Sequence, residues 1–113
     1  MRSDALDRAF VALADRTRRG VVDLLRRGPK RAGELAGELD VSAPALTRHL
    51  RVLRDSGLVE EAGDENDGRV SIYLLRRDAF VRLSQWVDGV QAMWRTQLES
   101  FAKHVRTRKR NAK

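Results

Sequence analysis

Apolar residues recur along this chain at helical spacing, and the helical rhythm is broken once by a stretch that alternates. Leu6, Phe10 and Leu13 predict a first helix. Asp15 is placed to cap a second, whose Val21, Val22, Leu24 and Leu25 turn into a core before Gly28-Pro29 ends it. Ala32, Leu35, Ala36 and Leu39 fall at i, i+3, i+4 and i+7, one face of a third helix. The run Leu39-Asp40-Val41-Ser42 breaks that period, and Ser42 can cap a fourth helix by accepting backbone N–H bonds that a first turn leaves unpaired. Pro44 fits inside that first turn, where its missing N–H costs nothing. Leu46, Leu50 and Leu53 supply the fourth helix's apolar stripe. Leu58, Val59 and Ala62 then predict a short strand, and Val70, Ile72 and Leu74 alternate with Ser71, Tyr73 and Leu75 at period two. Residues 63–68 between them are rich in turn formers and end in Asp-Gly.

Two short amphipathic helices joined by a tight turn form a helix-turn-helix, and a hairpin after them makes it winged. The predicted fold is mainly α with a small β-hairpin: a winged helix-turn-helix with a long C-terminal dimerisation helix. On the fourth helix, Pro44, Thr47, Arg48 and Arg51 lie about 100–200° from Leu46, on the arc the core cannot use. Two arginines and a threonine there suit phosphate and base-edge contacts. A solvated charged face is the alternative for any single helix. The preceding short helix and the following hairpin favour DNA.

After Arg77 a long helix is predicted to about Val105. Phe80, Leu83, Val87, Val90, Trp94, Leu98, Phe101 and Val105 advance in steps of three and four, and Trp86 and Met93 add a second apolar line. So wide a stripe on a helix of about 40 Å exceeds what one small domain can cover. Another copy of the chain is the expected cover, with the first helix packing alongside. The expected homodimer seam comprises Leu6, Phe10, Trp86, Val90, Trp94, Leu98 and Phe101. A terminal helix folded over its own core is the alternative to that seam, and walls of an effector pocket are the alternative role for Trp86 and Trp94. Residues 1–105 are taken as one domain including these terminal helices, and residues 106–113 as a basic, disordered tail.

The run Ala12-Leu13-Ala14-Asp15-Arg16-Thr17-Arg18-Arg19, then Gly33-Glu34-Leu35-Ala36, the stretch from Ser42 to Leu53, and Ser56-Gly57-Leu58-Val59 resemble the ArsR/SmtB family of winged-helix regulators. The likeness spans about Leu6 to Leu75. It implies a homodimer that represses by occupying a palindromic operator and leaves on a signal. It also implies DNA contacts from Ala43, Pro44, Thr47 and Arg48, with Ser42 at the head of the same helix, Arg51 nearby and Arg69 on the wing. Two departures matter. Several members keep a glutamine where this chain has Ala43. The wing of the family is usually basic, whereas residues 55–68 here carry six acids and no base. Such a wing either stays off DNA or leaves the contact to Arg69.

Composition narrows the chemistry. The net charge of +7 is concentrated: residues 103–113 hold six bases and no acid, and residues 16–54 hold ten bases against four acids. Positive charge therefore gathers at the reading head and the tail, as on a DNA-binding face. With no cysteine, the family's thiolate metal site around Arg31 and Gly33 lacks its ligands. Asp88, Glu99 and His104 on the last helix lack the paired spacing of the other common site. His49 reads as a helix-packing or phosphate-facing histidine, and His104 as solvated. No metal or other cofactor is expected, and no nucleophile, phosphate loop or carboxylate–histidine set suggests an enzyme. No apolar run spans a membrane, and the N-terminus lacks a signal-peptide core, so the expected location is the cytoplasm. The expected partners are double-stranded DNA and a second copy, with the effector left open. The alternative from another class is a winged-helix module for protein interaction, or for architectural DNA binding.

Overall fold

Capping chemistry sets the helix boundaries. In the computed structural model, which describes residues 4–111, the elements run α1 (Asp4–Leu13), α2 (Arg16–Leu25), β1 (Lys30–Arg31), α3 (Ala32–Leu39), α4 (Ala43–Asp55), β2 (Val59–Gly63), β3 (Ser71–Leu75) and α5 (Arg77–Asn111). Asp15 is extended, and its carboxylate accepts from the Arg18 N–H at 3.0 Å to start α2. Ser42 does the same for α4, its hydroxyl accepting from the Ala45 N–H at 3.3 Å with Pro44 in the first turn. Just past the end of α4 the chain turns at Gly57, whose φ of +80° suits a residue without Cβ. There the Gly57 N–H donates to the Arg54 carbonyl and the Leu58 N–H to the Leu53 carbonyl, both at 3.0 Å. The turn between α3 and α4 places Asp40 in the same left-handed region, at φ 55°, and the Val41 N–H closes on the Ala36 carbonyl at 3.2 Å.

The sheet is antiparallel in the order β1-β3-β2. Strands β2 and β3 are the predicted hairpin, in register from Val59 opposite Leu75 to Gly63 opposite Ser71. Strand β1 has no counterpart in the sequence reading. It is two residues long, too short for any alternation, and pairs Lys30 with Tyr73 and Arg31 with Ile72.

The chain divides into two compact units, one up to Val81 and one from Arg82 onward. The first holds the core: Val21, Val22, Leu24 and Leu25 from α2, Leu35 from α3, Leu46, Leu50 and Leu53 from α4, then Leu58 and Val59. Truncating any one of the leucines to alanine is expected to cost about 2–5 kcal/mol. Ala9 and Ala12 are the buried residues of α1.

The second unit is the remainder of α5. From Arg82 to Lys109 every side chain is exposed except Leu83 and Val90, which are half-buried. The helix does not stop near Val105. It continues to Asn111 through most of the residues expected as a disordered tail. Arg and Lys are good helix formers, and the Thr107 hydroxyl, donating to the Lys103 carbonyl at 3.0 Å, satisfies itself on the helix. Residues 112 and 113 of that tail lie outside the described residues. No helix among the described residues is long and apolar enough to cross a membrane.

Candidate nucleic-acid interface

The buried leucines of α4 fix what the rest of that helix presents. With Leu46, Leu50 and Leu53 in the core, Ala43, Pro44, Thr47, Arg48 and Arg51 all lie exposed. Ser42, also exposed, spends its hydroxyl on the cap, and the Thr47 hydroxyl donates to the Ala43 carbonyl at 2.9 Å. Arg48 and Arg51 have no hydrogen-bond or ion-pair partner among the described residues, so their donors are free for a ligand. An arginine fork with five free donors matches the O6 and N7 pair of guanine or a phosphate.

The neighbouring arginines are committed within the fold. Arg54, on the last turn of α4, pairs with Glu61 of β2, which also accepts from the Tyr73 hydroxyl at 3.2 Å. Hydrogen bonds from Ser71 and Tyr73, with the Arg54 charge, hold the Glu61 carboxyl below the usual carboxylate range. Burial, with the Glu61 charge beside it, pushes the Tyr73 phenol up. Arg31, at the N-terminus of α3, donates to Asp64 Oδ2 from Nη2 at 2.7 Å and Nε at 3.0 Å. The sequence carries no signal for a pair 33 residues apart.

Two acids of the wing, Asp64 and Asp67, prove to be turn makers. The Asn66 N–H donates to Asp64 Oδ1 at 2.9 Å, and the Arg69 N–H to Asp67 Oδ1 at 3.1 Å. That first bond, with Arg31 second, keeps the Asp64 carboxyl below its ordinary range. Arg69 is almost wholly exposed, and its Nε lies 3.6 Å from Asp67. Its charge on the wing is thus partly offset locally. His49 points inward, its Nδ1 lying 3.3 Å from Arg18 Nη1 of α2 and 3.9 Å from Asp15 Oδ1. Of the two sequence readings for His49, helix packing is the one observed. Among the described residues, no three His, Asp or Glu side chains gather as a metal site.

Along α5, Trp86, Trp94, Leu98 and Phe101 are about half or more exposed, and Val90 is half-buried. On α1, Leu6 is half-buried and Phe10 exposed to 40%.

A capped helix-turn-helix with free cations on its outer arc, flanked by a hairpin, defines a winged helix-turn-helix DNA-binding domain. Residues 15–61 match the family model described as "Bacterial regulatory protein, arsR family". The chain is 39% identical over 99 residues to the HTH-type transcriptional regulator Rv2034 of Mycobacterium tuberculosis, covering 88% of this chain and 87% of that protein. It is 35% identical over 98 residues to the arsenical resistance operon repressor of Escherichia coli, covering 86% and 79%. Among solved structures, it resembles the ArsR family transcriptional regulator RHA00566 with a TM-score of 0.72 at 33% identity, over 83% of this chain and 94% of that one. It also resembles the homodimeric winged helix-turn-helix DNA-binding domain of Mb0332 from Mycobacterium bovis, with a TM-score of 0.63 at 27% identity, over 78% and 79%. The chain belongs to the ArsR family of bacterial regulatory proteins. That family consists of transcriptional regulators, which are not enzymes.

Proposed function

We propose that this protein is a homodimeric repressor that acts in the cytoplasm by occluding a palindromic operator. The observation that carries the reading is the outer arc of α4, where Arg48 and Arg51 stand exposed and without a partner among the described residues while Arg31 and Arg54 are tied to acids. In this reading Arg48 reads a base edge, Arg51 and the start of the helix at Ser42, Ala43 and Pro44 fit the backbone, and Thr47 contacts a base or phosphate. Arg69 contributes from the wing. A second copy covers the apolar stripe of α5 and, on α1, Leu6 and Phe10. Support for association comes from the exposure of Trp94, Leu98 and Phe101, at 56%, 59% and 66%, and from the homodimeric Mb0332 relative. Two recognition helices then enter successive major grooves about 34–36 Å apart and exclude polymerase.

Selection from random duplex DNA, followed by titration of the recovered site, tests this. The expected product is an inverted repeat bound by a dimer. Recovery of no preferred sequence would overturn the repressor reading in favour of an architectural or protein-binding role.

A further inference from the structure

Arg18 is engaged with three parts of the reading head at once. Its Nε donates to the Ala12 carbonyl at 2.7 Å, and Nη2 reaches the Val11 carbonyl at 3.5 Å, both in the last turn of α1. Its backbone N–H is the group that Asp15 caps, at 3.0 Å. Its Nη1 lies 3.3 Å from His49 Nδ1 on α4. The Arg18 side chain is only 16% exposed and that of His49 23%.

We propose that Arg18 is a positioning residue for DNA reading, which sets the rotation of α4 by donating to His49 from a guanidinium anchored on the end of α1. The proposal rests on α4 being the recognition helix and deepens that reading. A guanidinium only donates and stays charged, so the His49 nitrogen facing it is the bare acceptor and the ring proton sits on Nε2. The Asp15 carboxylate, 3.9 Å from the same nitrogen, balances the cation beside the ring.

The leucines of α4 hold the helix in place, but apolar contacts are non-directional and tolerate small rotations. A hydrogen bond from a fixed donor does not. Arg48 is the residue before His49. Its tip lies roughly 6 Å or more from the helix axis, so turning α4 by about 15° shifts it by about 1.5 Å. That is enough to break a bidentate contact with a base. Phosphate contacts, made by flexible cations at many geometries, tolerate the same shift.

The test uses the full chain, the duplex recovered by selection and a scrambled duplex of equal length, well below the melting temperature of every variant. His49→Gln keeps an acceptor for Arg18, whereas His49→Leu keeps bulk without one. The expected result is about a tenfold loss on the selected duplex for His49→Leu, the worth of one hydrogen bond to a charged group. The scrambled duplex should change less than about twofold, and His49→Gln should recover most of the loss. Nitrogen-15 spectra of the imidazole should show an unprotonated Nδ1 in the wild type and a changed Nδ1 signal in Arg18→Met. This arm decides the matter should His49→Leu fail to fold. Equal losses on both duplexes, Gln no better than Leu, or an imidazole indifferent to Arg18 would each overturn the proposal. A wild type without sequence preference overturns the repressor reading instead, so the two failures are distinguishable.

Discussion

Asp64 Oδ2 accepts two hydrogen bonds from Arg31, at 2.7 Å and 3.0 Å, and so joins the base of the wing to the start of α3. This one contact removes a cation and an anion from the electrostatics of the reading head. Asp64→Ala is therefore expected to release Arg31 and raise affinity for random duplex. The slope of log affinity against log salt should steepen by about 0.9, the share of one added phosphate contact. A salt titration of wild type and variant decides this. An unchanged slope would mean that Arg31 lies out of reach of the backbone.

Asp15, Glu61 and Asp64 all have carboxyls held below their ordinary range, chiefly by the Arg18 N–H, by Ser71 and by the Asn66 N–H respectively. A depressed carboxylate stabilises the fold fully above its unfolded value, near pH 4. That contribution is lost as pH falls through the lower folded value. Thermal melts from pH 7 to pH 2 are expected to stay level to about pH 4.5 and then fall. Glu61→Gln should show a shallower acid decline than the wild type.

Asp40 occupies a left-handed conformation at φ 55°. Such backbone costs an L-residue about 1–2 kcal/mol, with aspartate among the more tolerant. Asp40→Gly should be neutral or stabilise by up to about 1 kcal/mol. Asp40→Val should destabilise by at least about 1 kcal/mol, since a β-branched residue resists this region most. Denaturant unfolding of both variants measures the difference, and equal midpoints would sink the account of the turn.

Arg48→Ala is expected to cost about 1–3 kcal/mol on the selected duplex and to relax preference at one position per half-site. Thr47→Ala should weaken the same complex less, because its hydroxyl already donates to the Ala43 carbonyl. Gel-shift titration would show whether the arc has been placed correctly. Unaltered affinity in both variants would mean it has not.

Trp94→Asp and Leu98→Asp should each set a charge in the proposed seam, and a buried unpaired charge dissociates what it is buried in. Sedimentation of the wild type at micromolar concentration should show a dimer, and of either variant a monomer. A monomeric wild type would refute the seam. Zinc, cadmium or arsenite should leave operator affinity unchanged, since the chain has no cysteine and its described residues gather no metal-binding set.

The sequence exposed the elements whose physics is local. Asp15 and Ser42 mark helix starts because a cap is a contact over three residues. The stripe Leu46, Leu50 and Leu53 gave away the outer arc because one helix has only one inward face. Strand β1 was illegible, since two residues carry no period and its pairings with β3 are made 41 and 43 residues later. The partners of the wing's acids were illegible for a related reason. In three dimensions Glu61 and Asp64 find Arg54 and Arg31, and Asp67 caps its own turn. The role of His49 likewise depended on Arg18, 31 residues earlier. The end of α5 was misjudged because composition alone does not separate a solvated helix from a solvated coil.

The division of α4 between an inner leucine face and an outer arc has an evolutionary consequence. Ala43, Arg48 and Arg51 contribute nothing to the core, so replacing them leaves the scaffold's stability nearly untouched. Copies of such a gene can drift at these few positions and acquire new genomic addresses without first surviving a period of poor folding.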